Sequence, residues 1–225
     1  MGKQKKISQY DYINAIKPFE PYIREADIRL RTDEYIILHF DGVDMTRKYL
    51  RRMNSSEKEV FSDCLLQTTK KLCEYFKGTR LAYTCNDEIS LLLAGSDIED
   101  NHHNRIQKLI SIASAKASIE LLLCLQQNEK FEILKEMQSS CMFAVKCYNL
   151  PQCLVNDYFK TRLLSCKKST FDRHENFEEK AKWEKFGFII TQQSSVWIEE
   201  SVDFSNMKLI KKPQDEYFTL NKTTK

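Results

Sequence analysis

The chain has 225 residues, 42% hydrophobic and 30% charged, with 5 glycines and 4 prolines, a composition that supports one full core and disfavours disorder away from the ends. Its formal net charge of +3 is too small to mark a nucleic-acid binder by itself, and no uninterrupted apolar run reaches the roughly 20 residues that cross a bilayer. The Lys-rich stretch Met1 to Tyr10 is not followed by an apolar signal core, so the expectation is a cytoplasmic protein with no membrane partner.

Residues 8–30 carry Tyr12, Ile13, Ile16, Phe19 and Ile23 at helical spacing, in a helix that Pro18 and Pro21 should kink or divide. Tyr35 to Asp41 reads as a buried strand, and 42–54 as a polar, basic loop or short helix. Ser55-Ser56, with Glu59 at capping-box spacing from Ser56, predicts a long helix over 57–77 that Gly78 ends. Strands over 79–84 and 88–94 follow, joined by a short turn, then a second long helix over 102–126. Residues 128–140 give no clear signal, and Cys141 to Cys147 reads as a strand.

That order is the ferredoxin-like β-α-β-β-α-β pattern, an α+β fold with an antiparallel sheet and helices on one face, as in nucleotidyl-transferring palm domains. It makes residues 1–150 a palm-like core with an N-terminal helix. Residues 151–225 become C-terminal additions that are not clearly a separate domain: a helix from Pro151 to Ser165, a polar helix near 175–185, and a hairpin of Phe186–Thr191 with Val196–Glu199. The tail after Ile210 reads as loose. None of the eight cysteines (64, 73, 85, 124, 141, 147, 153 and 166) forms a Cys-x-x-Cys pair, so they read as buried reduced thiols.

Two acidic motifs carry the chemistry. Asp41-Gly42 ends the first strand, and Asn86-Asp87-Glu88 lies between the second and third. In this fold the two meet at one sheet edge, where Asp41 and Asp87 can hold Mg²⁺ and, through it, a triphosphate. Taken singly, Asp-Gly and Asn-Asp-Glu are ordinary turn chemistry. Gly42 admits close backbone approach, and the N–H groups from Gly42 to Thr46 can cradle phosphate oxygens. Glu88 stands apart from the two aspartates as a ligand, since strand alternation turns it to the other face from Asp87. His39 shares a face with Asp41 and reads as a strand histidine or a partner of a carboxylate. Lys108, early in the second helix, either reaches a triphosphate or faces solvent. Basic residues cluster at Arg47, Lys48, Arg51 and Arg52, and at Lys160, Arg162, Lys167, Lys168 and Arg173. These are solvated surface or contacts for RNA phosphates.

The stretch Leu72-Cys73-Glu74…Gly78-Thr79-Arg80-Leu81-Ala82-Tyr83-Thr84-Cys85-Asn86-Asp87-Glu88-Ile89-Ser90-Leu91-Leu92-Leu93 resembles the tRNA-His guanylyltransferase family, in particular its bacterial guanylyltransferase-like members. Gln107-Lys108-Leu109…Ser111-Ile112-Ala113-Ser114, Asn156-Asp157-Tyr158-Phe159…Arg162 and Phe186-Gly187 support the likeness. The resemblance implies a 3′–5′ nucleotidyltransferase that adds a nucleotide to the 5′ end of tRNA or tRNA-like RNA. ATP first adenylylates the 5′-monophosphate, and the 3′-hydroxyl of GTP or another nucleoside triphosphate then displaces AMP. It also implies two Mg²⁺ ions at Asp41, Gly42 and Asp87, with Glu88 alongside. A nucleotide loop of Asp41, Gly42, Val43, Asp44, Met45 and Thr46, further contacts at Asn86 and Lys108, and a homo-tetramer complete the expectation. The chain departs from the family pattern at His39 (Arg in the family), at Met45-Thr46 (aromatic-His) and at Asn86 (Ser). A Lys-Pro-x-Asp segment near 52–56 is missing, and Cys166-Lys167-Lys168-Ser169-Thr170 replaces a polar, Asn-bearing motif. The competing expectations are a catalytically impaired RNA-binding relative or partner subunit, and a palm domain redirected to small-nucleotide synthesis.

Overall fold

A computed structural model describes residues 28–94, 104–128, 130–171, 182–193, 196–201, 207–211 and 218–222. The expected helix over 8–30 lies outside the described residues up to position 27, and so do positions 102 and 103 of the helix expected over 102–126, Arg173 and most of the helix expected near 175–185. Strand β1 (Tyr35–Gly42) is buried on both faces except at Asp41. The chain then makes one wide helical turn, Thr46–Leu50, and enters helix α1 (Ser55–Tyr75). The cap is Asn54, not Ser56. Its side chain accepts the Glu57 N–H at 3.0 Å while Glu57 accepts the Asn54 N–H at 2.8 Å, so the capping box sits two residues earlier than Ser56–Glu59. Asn54 has the extended backbone a cap requires, which leaves both serines inside the first turn.

Gly78, at φ 79°, turns the chain into β2 (Thr79–Cys85). Asn86-Asp87 closes the hairpin to β3 (Glu88–Ala94). Helix α2 (Ile106–Gln126) follows, then the short helix α3 (Glu132–Gln138), which fills the segment without a sequence signal by burying Ile133, Leu134 and Met137. Strand β4 (Phe143–Leu150) leads through a single turn at 152–154 into α4 (Val155–Phe171), which is longer than the expected 151–165. A short helix α5 (Lys182–Phe186) precedes β5 (Phe188–Gln193) and β6 (Val196–Ser201). The tail is not simply loose: β7 (Met207–Lys211) and β8 (Phe218–Lys222) pair as a separate hairpin.

The main sheet runs β4-β1-β3-β2-β5-β6, antiparallel throughout. Its first four strands have the ferredoxin-like order, with β1 and β3 between β4 and β2. The C-terminal hairpin is part of the same sheet, because β5 pairs with β2. Helices are not confined to one face. Ile36, Leu38 and Phe40 meet α1 and α2 in one core, while Tyr35 and Ile37 meet Val155, Phe159 and Leu163 of α4 in a second core on the opposite face. Helix α2 is long and apolar enough to cross a membrane by length and composition, contrary to the sequence expectation. Here its stripe of Leu109, Ala113, Ala117, Leu121 and Leu125 packs into the first core.

Candidate active site

Local hydrogen bonding fixes where β1 ends. The Gly42 N–H donates to the Asp87 carbonyl at 3.0 Å, and the Val43 N–H donates to the Met142 carbonyl at 2.9 Å. Asp44 takes φ 58°, and its exposed carboxylate meets Arg47 at 3.1 Å and Lys48 at 3.3 Å. Asn86 takes φ 56° at the tip of the hairpin, a conformation asparagine tolerates better than most residues. Behind it, the Asp87 carboxylate is buried. Its Oδ2 accepts the Thr46 N–H at 3.0 Å and its Oδ1 accepts the Thr46 hydroxyl at 2.8 Å. Burial raises the Asp87 pKa; the two Thr46 bonds oppose that, and the nearby Asp41 charge adds to it.

Thr46 was expected only as part of a phosphate-cradling loop. The structure corrects this: the N–H groups of Gly42, Val43 and Thr46 are spent on Asp87 and Met142, which leaves them unavailable for a phosphate. Thr46→Val keeps the side-chain shape and removes one bond to a charged acceptor. We expect a loss of about 1.5–3 kcal/mol in denaturant unfolding. A variant as stable as the parent would show that the hydroxyl does not hold Asp87.

Asp41 and Glu88 are direct cross-strand partners and share the sheet face that α4 covers. Glu88 does not turn away from Asp41; it accepts from Arg162 Nη1 at 3.3 Å. Burial raises the Glu88 pKa, and the Arg162 charge opposes the rise. Arg162 also lies over the Tyr158 ring, 5.9 Å from its centroid. One step further along the same face, His39 Nδ1 meets the Ser90 hydroxyl at 3.0 Å, and Ser90 meets the Tyr158 hydroxyl at 3.0 Å. His39 bonds Ser90 and not a carboxylate. Its pKa falls to about 4, first through burial and then through Arg162 and Lys146, so it is neutral at neutral pH. With an ordinary value near 6.5 in the unfolded chain, its contribution to stability is present above that pH and is lost as pH falls towards the folded value.

Two cavities meet at this edge. The first, about 300 Å³, is bordered by Asp41, Gly42, Asp44, Thr46, Asp87 and Glu88, with Ser165, Cys166 and Ser169 of α4 as its far wall. The second, about 360 Å³, shares Cys85 and Asn86 with the first and is walled by Leu50, Phe61, Leu65 and Phe188, with Arg51, Lys58 and Ser62 also lining it. The cysteines need a correction: Cys85 and Cys166 form a disulfide, although they lie 81 positions apart. The other six are free thiols; Cys64, Cys73, Cys124 and Cys141 are buried, Cys147 is half-buried and Cys153 is exposed. Helix α4 lays Cys166 against the end of β2, a juxtaposition no local spacing reports. The sequence did hold a weak signal, since each cysteine directly precedes a motif already singled out.

Residues 13–151, more than half of the chain, match the family described as Thg1, tRNAHis guanylyltransferase. The chain belongs to this family. Among solved structures, a bacterial tRNAHis guanylyltransferase (Thg1)-like protein in complex with GTP superposes with a TM-score of 0.69 at 20% identity, over 82% of this chain and 90% of that one. The bacterial Thg1-like protein in complex with ATP gives 0.68 at 18%, over 82% and 91%. The tRNAHis guanylyltransferase of Saccharomyces cerevisiae gives 0.56 at 14%, over 81% and 96%. No curated protein matches the chain.

Within this guanylyltransferase-family chain, Asp41, Asp87, Glu88, Gly42, Asp44, Thr46 and Asn86 come together at one edge. Lys108 does not join them. It is exposed in the first turn of α2, where Ile106 is bonded to Ile28 and Asn104 to Leu30. Arg31 in turn bonds Asn149, which pairs with Ile36 near the opposite end of β1 from Asp41. Val43 is exposed and Met45 is fully buried beneath Gly42. Among the described residues no three His, Cys, Asp or Glu side chains are gathered to enclose a cation unaided. The residues nevertheless fit Mg²⁺: it is a hard cation commonly held by one or two carboxylates plus phosphate oxygens and water, and Asp41 crowds its charge against the buried Asp87.

Proposed function

We propose that this chain is a Mg²⁺-dependent 3′–5′ nucleotidyltransferase that adds a nucleotide to the 5′ end of tRNA or tRNA-like RNA through an adenylylated 5′ end. The observation that carries the reading is the convergence of Asp41 and Asp87 in a polar cavity that opens beside an apolar one. Asp41, Asp87 and the Gly42 backbone would hold Mg²⁺, with Glu88 alongside; when bound, the ion supplies positive charge to the triphosphate. Thr46 and the Gly42 N–H keep Asp87 in place. The apolar cavity, walled by Phe61 and Leu65, suits a nucleotide base, with Asn86 between base and phosphates. The family and its GTP- and ATP-bound structural relatives support these nucleotides as substrates. The resemblance further supports a cytoplasmic homo-tetramer.

Lys160, Lys167 and Lys168 are exposed on α4 and suit RNA phosphates, whereas Arg162 is committed to Glu88. We expect Lys167→Ala and Lys168→Ala each to weaken tRNA binding and to lower the steepness of its salt dependence by about 0.7–0.9 per contact. An unchanged salt slope in filter binding would place the RNA elsewhere.

The direct test is incubation with Mg²⁺, ATP, labelled GTP and a 5′-monophosphorylated tRNA lacking its first nucleotide. Extension that disappears in Asp41→Ala supports the reading. One observation favours the rival reading, a non-catalytic RNA-binding relative: both Asp87 oxygens already accept bonds from Thr46. Retained tRNA binding with no extension by any of the four nucleotides would decide for it.

A further inference from the structure

The disulfide sits where the two halves of the proposed site meet. Cys85 is the last residue of β2, immediately before Asn86 and Asp87, and Cys166 lies one turn beyond Arg162 on α4. Both residues are buried, yet both border the acidic cavity. The Arg162–Glu88 ion pair anchors the helix to the start of β3. Past that point the Cys85–Cys166 bond is the covalent tie between the turn that carries Asp87 and the helix wall that carries Ser165 and Ser169. The side chain of Asn86, at its positive φ, donates to the Cys85 sulfur at 3.1 Å. The bond therefore fixes one wall of the cavity against the other.

We propose that Cys85–Cys166 is a reversible thiol–disulfide pair whose oxidised form is the nucleotide-binding form of the site. This rests on the reading that the acidic cavity takes a nucleoside triphosphate. In the reductive step, one thiolate of a dithiol reductant attacks a cystine sulfur to give a mixed disulfide. Its second thiol then closes on the first. Two electrons and two protons pass from the dithiol to the cystine, leaving Cys85 and Cys166 as thiols and the reductant as a cyclic disulfide. In the reduced protein the Arg162–Glu88 pair and the apolar face of α4 still hold the helix. The turns after Arg162 lose their covalent tie, and the cavity wall loosens. Linkage makes the effect reciprocal: if the disulfide tightens nucleotide binding, bound nucleotide must stabilise the disulfide by the same factor.

The experiment equilibrates the whole chain in mixtures of reduced and oxidised dithiothreitol, with and without ATP and Mg²⁺. Acid quenching, alkylation and peptide mass spectrometry then read the state of Cys85 and Cys166. Equilibrium binding of ATP is measured on the oxidised and reduced forms. We expect ATP to bind the oxidised form about fivefold tighter or more. Saturating ATP should then move the midpoint about 20 mV or more towards more negative potential, the same factor converted for two electrons. Cys166→Ser should bind ATP as the reduced form does and ignore dithiothreitol, while Cys153→Ser, at an exposed position outside the cavity, should keep the full shift. Thiols at Cys85 and Cys166 that stay free in excess oxidised glutathione would overturn the proposal. Equal ATP affinity of the two forms with an unmoved midpoint would overturn the coupling while leaving the nucleotide site intact. Binding of ATP by neither form would overturn both readings.

Discussion

Asp87→Asn is expected to reduce 5′-end extension about a thousandfold or more without lowering the melting temperature. The two halves of that expectation have different causes. Activity should fall because asparagine lacks the charge that, on the proposed reading, would hold a cation against a triphosphate together with Asp41. Stability is kept because asparagine fits the existing bonds. Its carbonyl can take the Thr46 N–H, and its amide can donate to the Thr46 hydroxyl, which accepts as readily as it donates. The substitution also removes a buried charge. Burial raises the Asp87 pKa above its ordinary value. The stability linked to its proton is therefore fully present below the unfolded pKa and is lost as pH rises through the folded one. Above the folded pKa the ionised carboxylate is a net cost, which a bound cation would relieve. ATP with Mg²⁺ should accordingly raise the melting temperature of the parent protein more than that of Asp87→Asn. An active Asp87→Asn would sink the metal assignment. A variant that is inactive because it unfolds would instead show that Asp87 acts mainly as the clamp for Thr46.

The palm core was legible because its signals are local. Tyr35 to Phe40 and Ile89 to Leu93 are apolar runs bounded by turn residues, and the element order then dictates that Asp41 and Asp87 lie at one edge. The position of Lys108 was legible too, had direction been followed. Strand β3 begins at Glu88 beside the acids and leaves at Ala94, so the helix after it has to start at the far end. What lay beyond reach depends on partners distant in sequence. The Thr46 hydroxyl finds Asp87 41 positions later, and Cys85 finds Cys166 after 81. The stripe of Val155, Phe159 and Leu163 shows that α4 is amphipathic but not which sheet face it covers. The second face became its own once Tyr35 and Ile37 alternated away from Ile36 and Leu38. The hairpin expected over 186–199 from its apolar runs is found at 188–201, but its pairing with β2, which extends the palm sheet, was not expected.

Gly42→Ala is expected to lower the extension rate about a hundredfold and to cost about 1–3 kcal/mol of stability. A Cβ at Gly42 would lie 2.5 Å from the Met45 sulfur, 2.8 Å from Met45 Cγ and 2.9 Å from Asp87 Cβ. A methionine tip in solvent would swing aside, but Met45 is fully buried, so its shift spreads into the core beneath the loop. Asp87 has even less freedom. Its Cβ is one bond from the main chain, its carbonyl accepts the Gly42 N–H, and both carboxylate oxygens are tied to Thr46. The added methyl therefore displaces the carboxylate from Asp41, and misplacement by about 1 Å is enough for a loss of that size. Pairing the substitution with Met45→Ala separates the two contacts. Stability effects should be less than additive in the double-mutant cycle, since the smaller side chain makes room for the methyl. Activity should stay low, because the clash with Asp87 Cβ remains. If the double variant instead recovered the activity lost by Gly42→Ala, Met45 and not Asp87 would be the residue through which Gly42 shapes the site.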